Sequence, residues 1–201
     1  MKLTPYKIES SVGNYESRYI LDAILLDVEQ KVLVATDGHQ LAVVPAEPEK
    51  YDTTGIIPSK AFRMAREAQR RVPKKMRSKN PVTLSVNGRV TIRSKYNDEA
   101  ISVSRGKGQF PKWRKAIEKF EGAPDAIIDI EVLRKAIGSI AAGTSRYPGM
   151  FAIWINKESS PTQKSILLSP AYGTKDRFAL LMPARQTEPI DAAEILKAVR
   201  P

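Results

Sequence analysis

Residues Val34–Pro45 read VATDGHQLAVVP, and they contain the only histidine of the 201-residue chain, His39, two positions after Asp37. Residues two apart in a strand share a face, so an Asp-x-His pair is an arrangement that a metal or catalytic site could use. A zinc site would require further ligands, and the chain has no cysteine and no second histidine to supply them. No G-x-S-x-G elbow provides a nucleophile, and RGKGQF at 105–110 lacks the glycine spacing of a nucleotide-binding loop. The expectation is a protein with no catalytic residue, no metal and no cofactor, not an enzyme.

Outward from this stretch the sequence reads as strands. RYILDAILLD at 18–27 precedes it across a short polar turn at Glu29–Lys31, so the two runs are read as a β-hairpin. Asp37-Gly38 inside the second run is either a turn or a bulge. Downstream, IIPSKAFRMAREAQRRV at 56–72 has a helix start at Pro58 and Ser59. On a 3.6-residue period Ala61, Phe62, Met64, Ala65, Ala68 and Val72 share one side, and Lys60, Arg63, Arg66, Arg70 and Arg71 share the other. The basic run continues through Lys74, Lys75, Arg77 and Lys79. Solubility alone would be served by mixed charges, so a face of one sign points to binding.

PVTLSVNGRVTIRS at 81–94 places two alternating segments around Asn87-Gly88, the signature of a type I′ turn, and AISVSRG at 100–106 reads as another strand. The same order then recurs. Asp129 caps IEVLRKAIGSIAAG, whose Ile130, Val132, Leu133, Ala136, Ile137, Ile140 and Ala141 form one stripe, and three strands follow in MFAIWINK, QKSILLSP and RFALLMPA. GQFPKWRKAIEKFEGAPD at 108–125 suits a crossover. The predicted fold class is α+β, with repeated helix-plus-antiparallel-strand units and the helices on one face of the sheets. The units are expected at 1–122, whose first half lacks its helix, and at 123–201, a partial second unit ending in the helix DAAEILKAVR, where Asp191 and Glu194 form a capping box.

Lys and Arg number 33 against 22 Asp and Glu, and the net charge of +11 favours a polyanionic partner, nucleic acid or an anionic membrane surface. No apolar run approaches the roughly 20 residues of a membrane span. MKLTPYKIES lacks the apolar core of a secretory signal, and cysteine is absent, so a soluble cytoplasmic protein is expected.

These motifs carry a resemblance. VATDGHQLAVVP preceded by RYIL resembles the central-domain signature of the bacterial DNA polymerase III β sliding clamp, with its RYYL-like start and TDGHRLA core. GQFPKWRKAI resembles that family's GRFPDYRRVL crossover, and FALLMPAR its terminal YVVMPMR strand, in the same order over roughly residues 15–186. The resemblance implies a DNA-clamp-like fold, a non-catalytic processivity or recruitment platform whose helices face double-stranded DNA, and peptide partners from polymerases or clamp loaders. Carried over, the DNA-facing residues are Arg18, Lys60, Arg63, Arg66, Arg70, Arg71, Lys74 and Lys75, with Arg134 and Lys135 on the second helix. The implied peptide pocket comprises Thr36, Gly38, His39, Leu41, Pro111, Lys115, Ala116, Leu180 and Met182. Gln40 and Lys115 stand where the family has Arg, and Ala184 where it has Met, which implies a smaller and less basic pocket mouth. The chain is shorter and more basic than such clamps, so a non-ring DNA binder, or a mimic that competes for clamp-binding peptides, is the alternative. The terminal helix is expected to complete the first unit, in its own chain or in a neighbour within a head-to-tail homo-oligomer.

Overall fold

A computed structural model of the chain describes residues 1–13, 20–96, 99–104, 108–117, 128–141, 151–156, 165–170 and 179–181. They fall into two compact units, within Met1–Glu118 and Lys119–Ala198.

In the first unit β1 (Ala23–Asp27) and β2 (Val32–Thr36) form the expected antiparallel hairpin, closed at Asp27↔Val32. Asp27 Oδ1 accepts the Gln30 N–H at 3.1 Å, and Lys31 takes φ 53 to complete the turn. Asp37-Gly38 is a turn and not a bulge: β2 ends at Thr36, Gly38 adopts φ 90, and β3 (Leu41–Pro45) folds back with Thr36 opposite Leu41. A strand that hydrophobic periodicity does not separate from the helix start, β4 (Gly55–Pro58), pairs with the other edge of β1, giving the order β3-β2-β1-β4. Four residues are too few for periodicity to separate from an adjoining helix.

Helix α1 (Ser59–Arg71) follows β4 directly. Pro58 suits a helix start because it has no N–H to leave unsatisfied. At the far end Arg77 caps the helix, its Nε donating to Val72 O at 2.9 Å and its Nη2 to Arg70 O at 3.3 Å. β5 (Val82–Asn87), β6 (Arg89–Ser94) and β7 (Glu99–Val103) form a second antiparallel sheet. Its first turn corrects the type I′ expectation. Val86 pairs with Val90 across Asn87-Gly88-Arg89, and of these residues only Gly88 takes a positive φ, so glycine alone absorbs the left-handed step.

The core of this unit lies beneath α1. Ala61, Phe62, Ala65 and Ala68 are buried together with Ile24 and Leu26 of β1, Ile57 of β4, and Leu84, Val86, Val90 and Ile92 of the second sheet. Met1–Leu3 run along the edge of β5, where Leu84 N–H donates to Met1 O at 2.9 Å and Leu3 N–H to Val82 O at 3.0 Å. A buried carboxylate ties these parts together. Asp52 accepts from the Met1 α-amino group at 2.7 Å and from the N–H groups of Glu49 and Val86, each at 2.8 Å. Burial pushes the Asp52 pKa up, but these donors outweigh it and hold the carboxyl below its ordinary value.

The second unit contains α3 (Ile130–Ala141) and an antiparallel sheet of β8 (Phe151–Ile155), β9 (Ile166–Pro170) and β10 (Ala179–Leu181), in the order β10-β9-β8. Asp129 caps α3 as expected, its Oδ1 accepting from Glu131 N–H at 2.8 Å and Val132 N–H at 3.0 Å. The apolar stripe is narrower than read from sequence. Ile140 is buried with Ile166, Leu168 and Leu181, and Leu133, Ala136 and Ile137 pack against them. Ile130 and Val132 face solvent, at 77% and 46% exposure. The expected helix DAAEILKAVR lies outside the described residues. No helix among the described residues is long and apolar enough to cross a membrane.

Asp52→Asn is expected to cost about 3 kcal/mol in urea unfolding, because the buried α-amino group loses its nearer counter-charge and keeps only the exposed Glu49 carboxylate at 3.6 Å. A carboxylate whose folded pKa is depressed contributes stability that is complete above its unfolded pKa and is lost as pH falls through the folded value. The wild type should therefore lose this contribution as pH falls below about 4, and Asp52→Asn should show a flatter acid limb in the same titration.

Candidate nucleic-acid interface

Burial of one side of α1 forces its other side outward, and the structure sorts the cations there into engaged and unengaged groups. Lys60, Arg63, Arg70 and Arg71 are exposed along the helix. Arg63 Nη2 donates to Ser59 Oγ at 3.2 Å, which leaves its charge uncompensated, whereas Arg71 pairs with Glu67 at 3.2 Å one turn back. Lys60, Arg70, Lys74, Lys75 and Lys79 make no ion pair with a described residue.

Arg66 corrects the expectation that it belongs to this open face. Its guanidinium is mostly buried: Nε pairs with Glu9 Oε1 at 2.9 Å, and the two Nη atoms donate to Thr4 O and Tyr6 O. It stitches residues 4–9 to the helix. Helical periodicity places Arg66 with its basic neighbours and gives no sign of Glu9, which lies 57 positions away.

Beyond α1, a short 3-10 turn at Lys74–Met76 is held rigidly. Met76 N–H donates to Pro73 O at 2.8 Å, and Met76 O accepts from Asn80 N–H at 2.9 Å and Lys79 N–H at 3.2 Å. Arg77, read from sequence as part of the basic run, is the helix cap described above. Lys74, Lys75 and Lys79 therefore extend the cationic ridge of α1 on a preorganised turn.

The other expected DNA-facing positions differ. Arg18 lies outside the described residues. In the second unit Arg134 is exposed but paired with Glu131, through Nη2 at 2.8 Å and Nε at 3.2 Å, while Lys135 is exposed. The second helix thus presents a much weaker positive face.

The Asp37-x-His39 pair is used locally. Asp37 Oδ1 accepts the N–H groups of His39 at 2.8 Å and Gln40 at 2.9 Å, and Oδ2 accepts Gln40 Nε2 at 3.0 Å. The two backbone donors lower the Asp37 pKa below its ordinary value. Thr36 Oγ1 donates to Gln40 O at 2.6 Å and accepts Gly38 N–H at 3.1 Å. The carboxylate and the hydroxyl build the β2–β3 turn. His39 is exposed on it and Leu41 is half-buried after it. Among the described residues no three His, Cys, Asp or Glu are grouped to hold a metal.

The remaining pocket expectations lie on the crossover and in the second unit. Gly108, at φ 133, brings the chain against Ile20, whose N–H donates to Gln109 O at 3.2 Å. Pro111, Lys115 and Ala116 follow, the last two exposed within the short helix α2 (Arg114–Ile117). Trp113 is buried at 5% exposure, and Arg114 stacks over its ring at 5.0 Å while pairing with Asp27 at 2.6 Å. Leu25, Phe110, Pro111 and the residues through Lys115 line a cleft of about 390 Å³ on the first unit. Of these, the sequence reading named only Pro111 and Lys115. The available signal was Leu25, which shares the β1 face of Asp27. Leu180 is exposed in the second unit, and Met182 lies outside the described residues.

No protein-family model matches the sequence, and no curated protein matches it. Solved structures do. The β sliding clamp of Caulobacter crescentus superposes with a TM-score of 0.64 at 20% identity, over 96% of this chain and 51% of that one. The chain has the sliding-clamp fold. The DNA polymerase sliding clamp of Bacillus subtilis gives 0.65 at 16% identity over 97% of this chain and 52% of that one. The DNA polymerase III β subunit of Pseudomonas aeruginosa gives 0.59 at 19% identity, covering 94% and 51%. The chain spans about half the length of the clamps it matches, and its helix-on-sheet units are those of the clamp fold.

Two substitutions separate architecture from interface. Arg66→Ala is expected to lower stability by about 2 kcal/mol in chemical denaturation while leaving the salt slope of any DNA binding unchanged. A Cβ at position 108 would lie 2.5 Å from Ile20 Cδ1 at a φ that side chains rarely adopt. Gly108→Ala should therefore cost about 2 kcal/mol and raise hydrogen exchange at the Ile20 amide, whose acceptor is Gln109 O.

Proposed function

We propose that this chain is a clamp-like DNA-binding protein, a non-catalytic platform that holds duplex DNA and recruits replication proteins to it. The observation that carries the reading is the ridge on α1 and its following turn. Lys60, Arg63, Arg70, Lys74, Lys75 and Lys79 are exposed and share one sign, with no carboxylate of the described residues paired to them. Glu67 is the acidic residue of α1, and it is occupied by Arg71. Such a ridge suits phosphates, which neutralise Lys and Arg without reading bases, and a sequence-independent contact is what a protein that moves along DNA requires. The clamp fold supports the same assignment by analogy, since its neighbours are named as DNA polymerase clamps. Encirclement on this reading needs more than one copy of the chain, because one copy matches about half of a clamp subunit.

A specific observation favours an open binder as the second reading. Arg134 is paired with Glu131, and Ile130 and Val132 are exposed beside it, so α3 does not repeat the ridge of α1. A protein whose phosphate contacts come mainly from one helix can bind DNA without enclosing it.

Binding to a duplex labelled with a fluorophore, measured across a salt series, tests the assignment. The wild type should lose affinity linearly in log salt. Combined Lys60→Glu, Arg70→Glu and Lys74→Glu should remove most binding and flatten the slope by about one unit per lost contact. Equal binding by this variant and the wild type would refute the assignment. Retention on circular but not on linear DNA distinguishes the ring from the open binder.

A further inference from the structure

Helix α1 packs on one face of the β5–β7 sheet, over Leu84, Val86, Val90 and Ile92, so the alternate residues of these strands stand on the face turned away from it. Along β6 these are Arg89, Thr91 and Arg93. In antiparallel register Ser85 and Ser102 flank Thr91, and Thr83 flanks Arg93. Arg89 and Arg93 are exposed and make no ion pair with a described residue. Lys2, bridged to Thr83 in the same row, is paired with Glu47 at 3.5 Å and adds no free charge.

A face that is merely solvated mixes both signs, and opposite charges are favoured directly across antiparallel strands. Here the residues opposite the two arginines are Asn87, Thr83 and Ala100, and none of the described side chains that these strands place on this face is acidic. Arginine and hydroxyl groups are donors to phosphodiester oxygens, and they bind them without reading bases. Arg89, Thr91 and Arg93 repeat in a line at about 6.7 Å, the rise of two strand residues. A single strand can extend along such a line phosphate by phosphate, whereas the rigid cylinder of a duplex curves away from a flat face. Just past the end of β6, Lys95 is exposed and Tyr96 is 42% exposed, an aromatic ring open to one base. The α1 ridge offers no such ring, since Phe62 is fully buried. An acidic protein is the rival partner, but protein interfaces rest on aromatic or aliphatic anchors, and the side chains around these arginines are Thr, Ser and Ala.

We propose that the outer face of the β5–β7 sheet binds single-stranded nucleic acid by its phosphodiester backbone, along Arg89, Thr91 and Arg93, on the side of the first unit opposite the α1 ridge. The site goes beyond the function above, and the two faces together let one copy of the unit hold a duplex and a single strand at once.

Fluorescence anisotropy of the full chain tests this with a labelled oligothymidylate, a labelled duplex of equal length, and unlabelled duplex and polyglutamate as competitors. The oligothymidylate should bind the wild type and stay bound when unlabelled duplex fills the ridge. Arg89→Gln with Arg93→Gln, at exposed positions and checked for fold by circular dichroism, should bind it at least about tenfold more weakly. The same variant should flatten its log-salt slope by about 1.4, the change for two phosphate contacts on a single strand, with duplex binding unchanged. Arg89→Lys with Arg93→Lys should keep most of the affinity, because the charges remain. No binding of the oligothymidylate, equal binding by the glutamine variant, or displacement by duplex or by polyglutamate overturns the proposal. Oligothymidylate binding that survives in the combined Lys60→Glu, Arg70→Glu and Lys74→Glu variant, while duplex binding is lost, supports both sites. Oligothymidylate binding without any duplex binding would leave the sheet site standing and refute the ridge; duplex binding without oligothymidylate binding would do the reverse.

Discussion

Burial of the small apolar face of α1 is the constraint on which the first unit depends. Ala61, Phe62, Ala65 and Ala68 are buried in one core with residues of both sheets, so the helix has little freedom to rotate about its axis. A rotation of one residue would carry a cation into this core, where an unpaired charge is heavily penalised. The orientation of Lys60, Arg63 and Arg70 toward solvent is therefore a consequence of how the helix packs.

Around that helix the charged residues divide by partner and not by type. Asp52, Glu9 and Asp27 are each positioned against a group distant in sequence, namely the Met1 α-amino group, Arg66 and Arg114. Each of these links fastens a segment that lies outside the named strands and the long helices: residues 1–9 in two cases and the crossover in the third. What remains unpaired among the described cations of α1 and its turn is concentrated in one ridge, and what remains unpaired on the crossover is the rim of a cleft. The same fold thus presents two positively charged surfaces with different apolar content.

Much of the fold was legible because its elements are amphipathic and locally punctuated. The alternation in VTLSV and RVTIRS, the cap at Asp129 and the two-sided pattern of α1 each name an element and the face it buries, and the structure has all of them. The short strand β4 was not legible, since Gly55–Pro58 is stabilised by pairing with β1 and carries no period of its own. The stripe on α3 was over-read at Ile130 and Val132, because the sequence does not say where along a helix the sheet begins.

From the sequence alone it follows that the chain repeats a helix-plus-strands unit, that α1 has one apolar and one basic side, and that the Asp37–His39 stretch begins a turn or bulge. These properties reside in residues a few positions apart, and local stereochemistry is enough to specify them. Tertiary structure alone decided that Arg66 and Arg77 serve the scaffold while Lys60 and Arg70 remain open, that Asp52 binds the chain's first residue, and that Leu25 meets Phe110 across 85 positions of sequence to form a cleft. The reason is physical: whether a charge is free or spent depends on the groups within a few ångströms of it, and those groups are brought there by burial of apolar surface, which has no signature in local spacing.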